Sequence, residues 1–350
     1  MLRIGINGFG RIGRAIYRVN QDKKYFEVVA INDINPDIDN IAYTLNYDTL
    51  YGRIKEIFSS DKATNTIYNT QNSIKVFHEK HVDEVDWKSV GVDVVIDASG
   101  VLDNVMRARK NMQKNNLKKV VITHSPEKGI DQHIVMGANE ESLDLSKHDI
   151  ISSSICDAVA IAPVLKHIDS FFGVENGYIT TLHPWLNYQN LMDGSASSWS
   201  VPGEIFHHYA LGRSVIGNMI PKPTSAINAT CKVLDNITEE MIGSFSYRTP
   251  TAIVGSADIT LNLKRKTNKD EIIKMLSEVE KKQTLNIIHN NIEPLVSLDF
   301  KGFDYSTVVD HRWTEVVQGG VLKLVLWYDN EWGYSARAVD LIKLIESKIS

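Results

Sequence analysis

A glycine-rich joint near the start of the chain constrains the fold more than any other stretch. A buried-strand pattern at Leu2–Ile6 runs into Asn7-Gly-Phe-Gly-Arg-Ile-Gly13, and apolar residues at helical spacing follow. Gly8, Gly10 and Gly13 therefore form a G-x-G-x-x-G motif between a strand and a helix. Glycine there permits a tight turn, close approach of the backbone to a pyrophosphate, and packing of the helix on the strand. The motif predicts a dinucleotide whose pyrophosphate lies at the helix N-terminus.

Short apolar strands alternate with helical segments through the rest of the first half. The strand patterns are Phe26–Asn32, Ile74–Phe77, Val92–Asp97, Lys119–Thr123, His133–Gly137 and Asp149–Ser152, and Val101–Asn115 has helical spacing. Such strands separated by helices predict an α/β fold with a parallel, doubly wound sheet, a Rossmann fold. Ligands of these sheets bind at the carboxyl ends of the strands, so the residues there are expected around one crevice. These residues are Gly8, Asp33, Ser99 and Thr123.

The residue that follows the second strand indicates which dinucleotide is bound. Asp33 lies 20 residues after Gly13, where a carboxylate hydrogen-bonds the adenosine ribose hydroxyls and repels a 2′-phosphate. Ile34 and Asn35 provide no cation that would receive such a phosphate. The sequence therefore predicts NAD rather than NADP. The alternative is that Asp33 only caps the following loop.

The second half of the chain has a different pattern. Its strand patterns are Gly173–Leu182, Phe245–Pro250, Ser256–Lys264, Leu295–Phe300 and Gly320–Tyr328, with amphipathic helices at Thr267–Glu280 and Trp332–Ile349. Several of these strands alternate apolar and polar residues, which predicts a mostly antiparallel sheet. We expect a dinucleotide-binding domain at residues 1–153, completed by the C-terminal helix at 332–350. A catalytic α+β domain is expected at residues 154–331.

Two candidate catalytic residues follow predicted strands. Cys156 lies within Ile151–Pro163, in a turn that opens a helix, where the helix dipole would favour a thiolate. His183 ends a strand, and a cysteine paired with a histidine is an activated nucleophile. The alternatives are that the cysteine is a small buried apolar residue and that the histidine is structural.

Composition excludes several classes of function. The formal net charge is −5, with 43% hydrophobic and 23% charged residues, so we expect no nucleic-acid partner. No apolar run is long enough to span a bilayer and the start does not resemble a signal peptide, so we expect no membrane partner. With only two cysteines, Cys156 and Cys231, a reducing cytoplasm is the expected location, although one disulfide remains open. Adjacent histidines at His207-His208 point apart and lack further ligands, so no metal site is expected.

With these residues in hand, the chain resembles glyceraldehyde-3-phosphate dehydrogenases and their erythrose-4-phosphate dehydrogenase relatives. The matching segments run nearly end to end. They are Ile6–Gly13, Ala30–Asp33, Asn46–Arg53, Gly91–Asp97, Asn218–Pro221, Arg248–Pro250 and Trp327–Ser335. The opening and closing segments are highly specific.

The resemblance implies an NAD-dependent oxidation of a phosphorylated aldehyde, with glyceraldehyde 3-phosphate as the default substrate. It implies that Cys156 is the nucleophile, that His183 is the base, and that the protein is a homotetramer. Together with the glycine motif, it implies NAD contacts from Asn7, Gly8, Phe9, Gly10, Arg11, Ile12, Gly13, Asp33, Lys80, Ser99, Gly100, Thr123, Asn330 and Tyr334. The implied substrate ligands are Thr224, Ser225, Arg248 and Arg213.

The chain departs from the family pattern beside the cysteine. The family normally has Ser-Cys-Thr-Thr-Asn, and here the stretch is Ile155-Cys-Asp-Ala-Val159. Asp157 therefore places a negative charge where the attacking phosphate should lie, at a cost of roughly 4 kcal/mol for charges about 4 Å apart. The same charge is expected to raise the pKa of Cys156. Lys222 would offset it if the side chain points inward.

Other positions of the phosphate sites also differ from the family. Leu186 and Tyr188 replace a threonine and a polar residue after the histidine, and Leu211 falls near a family arginine, with Arg213 close by. Water as the acyl acceptor, or another sugar aldehyde of the erythrose 4-phosphate kind, is therefore an alternative. A non-catalytic, NAD-binding regulatory paralogue is an alternative of another class. We favour an enzyme because the cysteine, the histidine, Asn330 and Arg248 all remain.

Overall fold

The computed structural model of the chain describes residues 1–198, 200–205 and 208–349. These fall into two units. The first contains Met1–His133, Leu143–Ser153 and the chain from Ala338 onward, and the second contains Ile134–Ser142 and Ser154–Arg337. Among the described residues, none of the helices combines the length and the apolar character that a membrane crossing requires.

The first unit contains short strands and three helices. The helices are α1 (Arg11–Lys23), α2 (Ile38–Asn46) and α3 (Leu102–Asn115). The strands are β1 (Arg3–Asn7), β2 (Glu27–Asn32), β3 (Tyr47–Asp48), β4 (Gly52–Arg53), β5 (Ser59–Asp61), β6 (Thr66–Tyr68), β7 (Ser73–Phe77), β8 (Val94–Asp97), β9 (Lys119–Ile122), β10 (Gln132–His133) and β11 (Ile150–Ser152).

Nine of these strands form one sheet in the order β10-β11-β9-β8-β1-β2-β7-β6-β5. From β10 to β7 every pair is parallel, and only β5 and β6 add an antiparallel edge. The central strands are apolar on both faces: Ile4, Ile6, Ile31 and Ile96 are completely buried, as a sheet with helices on both faces requires. The predicted parallel, doubly wound sheet is confirmed.

The second unit contains a second sheet and four helices, the last of which continues into the first unit. The helices are α4 (Cys156–Phe172), α5 (Ala226–Cys231), α6 (Lys269–Lys282) and α7 (Trp332–Ile349). The strands are β12 (Val174–Pro184), β13 (Ile220–Lys222), β14 (Ile242–Thr249), β15 (Gly255–Leu263), β16 (Ile288–Asn291), β17 (Thr307–Asp310), β18 (Glu315–Val317) and β19 (Val321–Tyr328).

The second sheet has the order β13-β14-β12-β15-β19-β17-β16, with β18 on β19. Most pairs are antiparallel, as the alternating pattern predicts, but β12 is parallel to β14 and β16 is parallel to β17. Two registers matter for function. His183 on β12 lies opposite Arg248 on β14, and Gly255 on β15 lies opposite Tyr328 on β19.

Two predicted strands are wrong. Leu295–Phe300 contains a 3-10 turn at Ser297–Phe300, because the Asp299 carboxylate accepts the Val296 N–H at 2.8 Å and closes the chain on itself. The predicted strand at His133–Gly137 ends at His133. There the Asn139 side chain accepts the Val135 N–H at 2.8 Å and starts a turn. In both places a short side chain three or four residues further along the chain competes with the strand for backbone hydrogen bonds.

Candidate active site and cofactor site

The three glycines of the N-terminal motif meet three different constraints. Gly8 has φ +85°, and a Cβ there would lie 2.6 Å from the Ser99 backbone. A Cβ on Gly13 would lie 2.3 Å from the Gly8 carbonyl oxygen, whereas one on Gly10 would meet no atom within 4 Å. Packing thus explains two of the glycines. The open space above Gly10 is what close approach of a pyrophosphate to the backbone requires.

Asp33 is held beside this loop. It follows β2, and its Oδ2 accepts the Phe9 N–H at 2.7 Å while its Oδ1 accepts the Asn35 N–H at 2.9 Å. Each carboxylate oxygen has two lone pairs, so both can still accept a hydroxyl. The glycine loop and the ribose carboxylate therefore form one hydrogen-bonded unit that fits a dinucleotide.

The other predicted cofactor residues of the first unit have varied surroundings. The Asn7 side chain is buried, donating to Asp97 Oδ1 at 2.9 Å and accepting from Asn32 at 2.7 Å. Thr123 donates from Oγ1 to the Asp97 carbonyl at 3.1 Å. The remaining positions are Arg11, which pairs with Asp48, the half-buried Ile12, Gly100 with φ +70°, and the exposed Lys80. Asn7 therefore orders the strand ends, and its amide is already occupied by protein groups.

Cys156 is the first residue of α4. The preceding turn contains Ser154 in the left-handed region, with φ +60°, and its carbonyl accepts the Tyr334 hydroxyl at 3.2 Å. Ile155 at the N-cap provides no side-chain oxygen to the first-turn N–H groups, which leaves these donors available for a ligand. Tyr334, predicted as a cofactor residue, thus supports the turn that presents the cysteine.

His183 lies against the cysteine with its nitrogens in defined roles. Its Nδ1 is 2.8 Å from the Pro184 carbonyl oxygen, which can only accept, so Nδ1 carries the proton. Nε2 is therefore a lone-pair nitrogen, and it lies 3.5 Å from Cys156 Sγ. Burial, and next the positive charge of Arg248, lower the pKa of His183 to about 4. The imidazole is neutral near pH 7, and its Nε2 is placed to accept a proton as the sulfur attacks.

Asp157 is also part of this cluster. Its buried carboxylate accepts the Tyr328 hydroxyl at 2.7 Å and, through the same Oδ1, the Cys156 thiol at 3.8 Å. The Tyr328 ring fits because the residue opposite is Gly255, where a Cβ would lie 2.9 Å from the ring. Sequence reasoning identified the charge of Asp157 but missed Tyr328, its hydrogen-bond donor.

The resting sulfur is a thiol. Burial, and next the negative charge of Asp157, raise the pKa of Cys156 well above its usual value, against the opposing charge of Arg248. The expectation that the helix N-terminus favours a thiolate is therefore reversed, because desolvation and the adjacent carboxylate outweigh the dipole. The proton must leave the sulfur as it attacks, and Nε2 of His183 is placed to take it.

The same three side chains could in principle hold a metal. Their ligand atoms, from Cys156, Asp157 and His183, lie within 4.8 Å of one another. The positive charges of Arg248 and Lys222, which both lower the pKa of His183, oppose a cation in this place. That no metal binds remains a prediction. His207, one of the two adjacent histidines weighed as ligands, lies outside the described residues.

Positive charge accumulates beside the cysteine. Arg248 is 6% exposed, donates to the Tyr188 hydroxyl at 3.3 Å, and has no partner for its Nε. Within the described residues, no carboxylate forms an ion pair with it. Burial, and next the charge of Arg248, lower the pKa of Lys222 to about 8. A buried cation without a matching carboxylate is costly, and an anionic ligand group would satisfy it.

Asn330 is held in place by a strained neighbour. Its Oδ1 accepts the Val254 N–H at 3.1 Å, and Val254 has φ +69°, which a β-branched residue rarely adopts. Because the oxygen is engaged by the backbone, the side-chain NH₂ faces away from that bond as a free donor. In the described part of the chain this NH₂ has no partner, so it can bind a carbonyl oxygen of a ligand.

Comparison with known families and proteins agrees with this geometry. Residues 153–330 match the family model for glyceraldehyde 3-phosphate dehydrogenase, C-terminal domain, and residues 2–105 match that for its NAD binding domain. Over 348 residues the chain is 34% identical to glyceraldehyde-3-phosphate dehydrogenase 1 of Bacillus cereus, with 99% of each chain covered. The chain belongs to the glyceraldehyde-3-phosphate dehydrogenase family.

Eukaryotic relatives match equally well. Identity is 36% over 344 residues to glyceraldehyde-3-phosphate dehydrogenase 1 of Kluyveromyces marxianus, covering 98% of this chain and 99% of that one. Identity is 35% over 349 residues to the cytosolic glyceraldehyde-3-phosphate dehydrogenase 3 of Zea mays, covering 99% of this chain and 98% of that one. The predicted family is confirmed. The protein is an NAD-dependent dehydrogenase, and the predicted cofactor, NAD, is confirmed by the NAD binding domain.

The remaining predicted substrate ligands of this dehydrogenase have other contacts. Arg213 is exposed and forms an ion pair with Asp193 at 2.9 Å. Thr224 accepts the Ala226 N–H at 3.2 Å, where α5 begins, and Ser225 is exposed. These contacts leave Arg248 and Lys222 as the two cations whose charges act directly on the cysteine and histidine.

Proposed function

We propose that the protein oxidises a phosphorylated aldehyde to a thioester on Cys156, with glyceraldehyde 3-phosphate as the first substrate to test. One observation carries this proposal: the unprotonated Nε2 of His183 lies 3.5 Å from Cys156 Sγ. A nucleophile with a base in contact, and a carbonyl fixing the tautomer of that base, is the arrangement that covalent catalysis needs.

Each residue of the cluster has a defined task in this proposal. Cys156 adds to the aldehyde carbon as its proton moves to His183. The developing oxyanion accepts from the Cys156 backbone N–H and the histidine. The protonated histidine gives this proton to the oxyanion, which forms the hydroxyl of the hemithioacetal. The imidazole, now neutral again, takes the hydroxyl proton back as the hydride leaves the substrate carbon. NAD, when bound, would supply the acceptor for this hydride.

The substrate phosphate is assigned to the cationic part of the cluster. Arg248 is buried, has an unpartnered Nε and lies opposite His183 in the sheet. Lys222 adds a second charge close enough to affect the titration of the histidine. Arginine binds phosphate through charge-assisted hydrogen bonds, so an aldehyde with a terminal phosphate fits better than an uncharged one.

We propose that the glycine loop, Asp33 and the strand-end residues of the first unit hold the dinucleotide. For Asn330 of the second unit we propose a hydrogen bond from its NH₂ to a carboxamide oxygen. The free space above Gly10 and the engaged Oδ1 of Asn330 support this assignment.

A homotetramer is a further part of the proposal. Tyr178 and Phe245, on the neighbouring strands β12 and β14, are 74% and 42% exposed. Large apolar side chains on one sheet are typical of subunit interfaces. Light scattering on purified protein tests the assembly, and a monomer at micromolar concentration would contradict it.

NADH formation tests the proposed function. The panel contains glyceraldehyde 3-phosphate, erythrose 4-phosphate and unphosphorylated glyceraldehyde, each with and without inorganic phosphate. We expect NADH from a phosphorylated aldehyde, none with Cys156→Ser, and a fall of about a hundredfold or more with His183→Asn. No NADH from any aldehyde, with Cys156 inert to iodoacetamide, would refute the proposal.

A further inference from the structure

The carboxylate beside the cysteine is held as a reactive group would be. Asp157 is 6% exposed, its Oδ1 lies 3.8 Å from Cys156 Sγ, and the same oxygen is fixed by the Tyr328 hydroxyl at 2.7 Å. Tyr328 itself is buried, and Gly255 leaves the room for its ring. The buried carboxylate therefore has one fixed donor on Oδ1 and keeps its orientation beside the sulfur.

The same carboxylate makes this place unfavourable for an attacking phosphate. A phosphate that attacks a thioester on Cys156 must approach the sulfur, and hence Asp157, with two negative charges of its own. The negative charges of the phosphate and of the Asp157 carboxylate would repel each other strongly in a partly desolvated site. Ile155, on the other side of the cysteine, provides no hydrogen-bond donor from its side chain. A neutral acceptor such as water avoids the repulsion.

We propose that Asp157 is the general base that activates water to hydrolyse the thioester, and that Tyr328 positions it. This inference rests on the proposed function, since it describes the fate of the thioester formed there. The product is then a free carboxylic acid rather than an acyl phosphate.

The step balances without a further reactant. Water adds through its oxygen to the thioester carbon as Asp157 takes one of its protons. The resulting tetrahedral intermediate then collapses, the carbon–sulfur bond breaks, and the electron pair leaves with the sulfur. The proton held by Asp157 passes to the sulfur, which regenerates the thiol and the carboxylate. No change of oxidation state occurs in this half of the reaction.

The geometry permits this step. Oδ1 of Asp157 lies 3.8 Å from the sulfur to which the acyl carbon is attached, which places the carboxylate beside the thioester, and a water bound to the other carboxylate oxygen would lie about 2.8 Å from it. The Oδ1 atom already accepts from Tyr328, so a hydroxyl donor holds it in place while the second oxygen remains available. Asp157 thus acts on the reacting atoms, whereas Tyr328 acts only through Asp157.

The test distinguishes acylation of Cys156 from hydrolytic release of the acyl group. Wild type, Asp157→Asn and Tyr328→Phe are mixed with NAD and the phosphorylated aldehyde, and the NADH burst is compared with the steady rate. For Asp157→Asn we expect a burst stoichiometric with active sites, then a steady rate lower by about a hundredfold or more. For Tyr328→Phe we expect a loss of about tenfold, with the burst kept.

Four readouts do not depend on NADH. Intact mass should show an acyl group accumulating on the Asp157→Asn protein, and the wild-type product formed in isotope-labelled water should carry one labelled oxygen. Acyl-enzyme of Asp157→Asn, freed of aldehyde by gel filtration, should release its acyl group when hydroxylamine is added, because this nucleophile needs no base. p-Nitrophenyl acetate should acylate Cys156 without NAD, and only wild type should then turn over rapidly.

The outcomes distinguish the two proposals. Wild-type turnover that requires inorganic phosphate, with acyl phosphate seen by phosphorus NMR, would overturn water as the acceptor. Equal loss of burst and steady rate in Asp157→Asn would overturn its role as base. If no aldehyde gives a burst, the proposed function fails. The experiment with p-nitrophenyl acetate still tests the role of Asp157, because equal turnover of the ester by wild type and Asp157→Asn would refute that role.

Discussion

Replacing Asp157 with asparagine removes a negative charge 3.8 Å from the sulfur of Cys156. Coulomb's law gives on the order of 4 kcal/mol for unit charges at this distance and an effective dielectric of about 20. The amide keeps a dipole and neighbouring charges readjust. We therefore expect the substitution to stabilise the thiolate by about a third of this energy, about 1.4 kcal/mol. That corresponds to about tenfold more thiolate at a pH below the thiol pKa.

The rate of alkylation by iodoacetamide measures this change, because the thiolate is the reacting form. Asp157 raises the pKa of Cys156, so the variant should react about tenfold faster at pH 7 and its rate profile should move to lower pH. Tyr328→Phe is the matched control, since it removes a hydroxyl from the same oxygen but keeps the charge. Alkylation of Asp157→Asn no faster than wild type, or equal acceleration in Tyr328→Phe, would refute the electrostatic reasoning.

Three further predictions concern the ligand sites. Arg248→Gln should lower kcat/KM for the phosphorylated aldehyde by about 10- to 100-fold through loss of charge-assisted hydrogen bonds. The loss for unphosphorylated glyceraldehyde should be smaller, because only the effect of the charge on Cys156 and His183 is removed there; equal losses would contradict a phosphate role. The pKa of Lys222 is lowered to about 8, so its positive charge is lost as pH rises through that value. KM for the phosphorylated aldehyde should therefore rise above pH 8 in wild type, and steady-state kinetics should show no such rise in Lys222→Met. Asp33→Asn should weaken NAD about tenfold and improve the use of NADP, as fluorescence titration with both cofactors would show, whereas an unchanged cofactor ratio would argue that Asp33 only caps its loop.

The cofactor half was predictable because its geometry is local. The glycine motif, the flanking strand and helix, and Asp33 are separated by few residues, so sequence spacing determines how they lie. The different reasons for Gly8, Gly10 and Gly13 follow from the turn itself. The alternation of short apolar runs with helical segments was sufficient to predict the parallel sheet, because strands buried in such a sheet are apolar on both faces.

The catalytic half was only partly predictable because its contacts are distant in sequence. The positions of the cysteine and the histidine after predicted strands identified each of them as a candidate. Their contact, 3.5 Å between Sγ and Nε2, depends on how α4 and β12 pack. Asp157 and Tyr328 are 171 residues apart. The sequence signal for that pair was a glycine, Gly255, which becomes informative only when the strand register sets it opposite the tyrosine.

The errors have the same origin. Alternation at Leu295–Phe300 is compatible with a strand, but the Asp299 side chain takes the Val296 N–H and the segment turns. The thiolate expectation counted the helix dipole and the adjacent carboxylate but not the depth of burial. Desolvation is the largest effect on Cys156, and burial depends on packing that no local pattern contains.

The proposed reaction requires the sulfur of Cys156 to become covalently attached to the substrate carbon. Rapid acid quench of the Asp157→Asn protein with NAD and aldehyde, followed by peptide mass spectrometry, tests it directly. We predict the mass of the oxidised acyl group on the peptide containing Cys156, in amounts equal to the NADH released. NADH formed with that peptide unmodified, or turnover that persists in Cys156→Ser, would contradict the account.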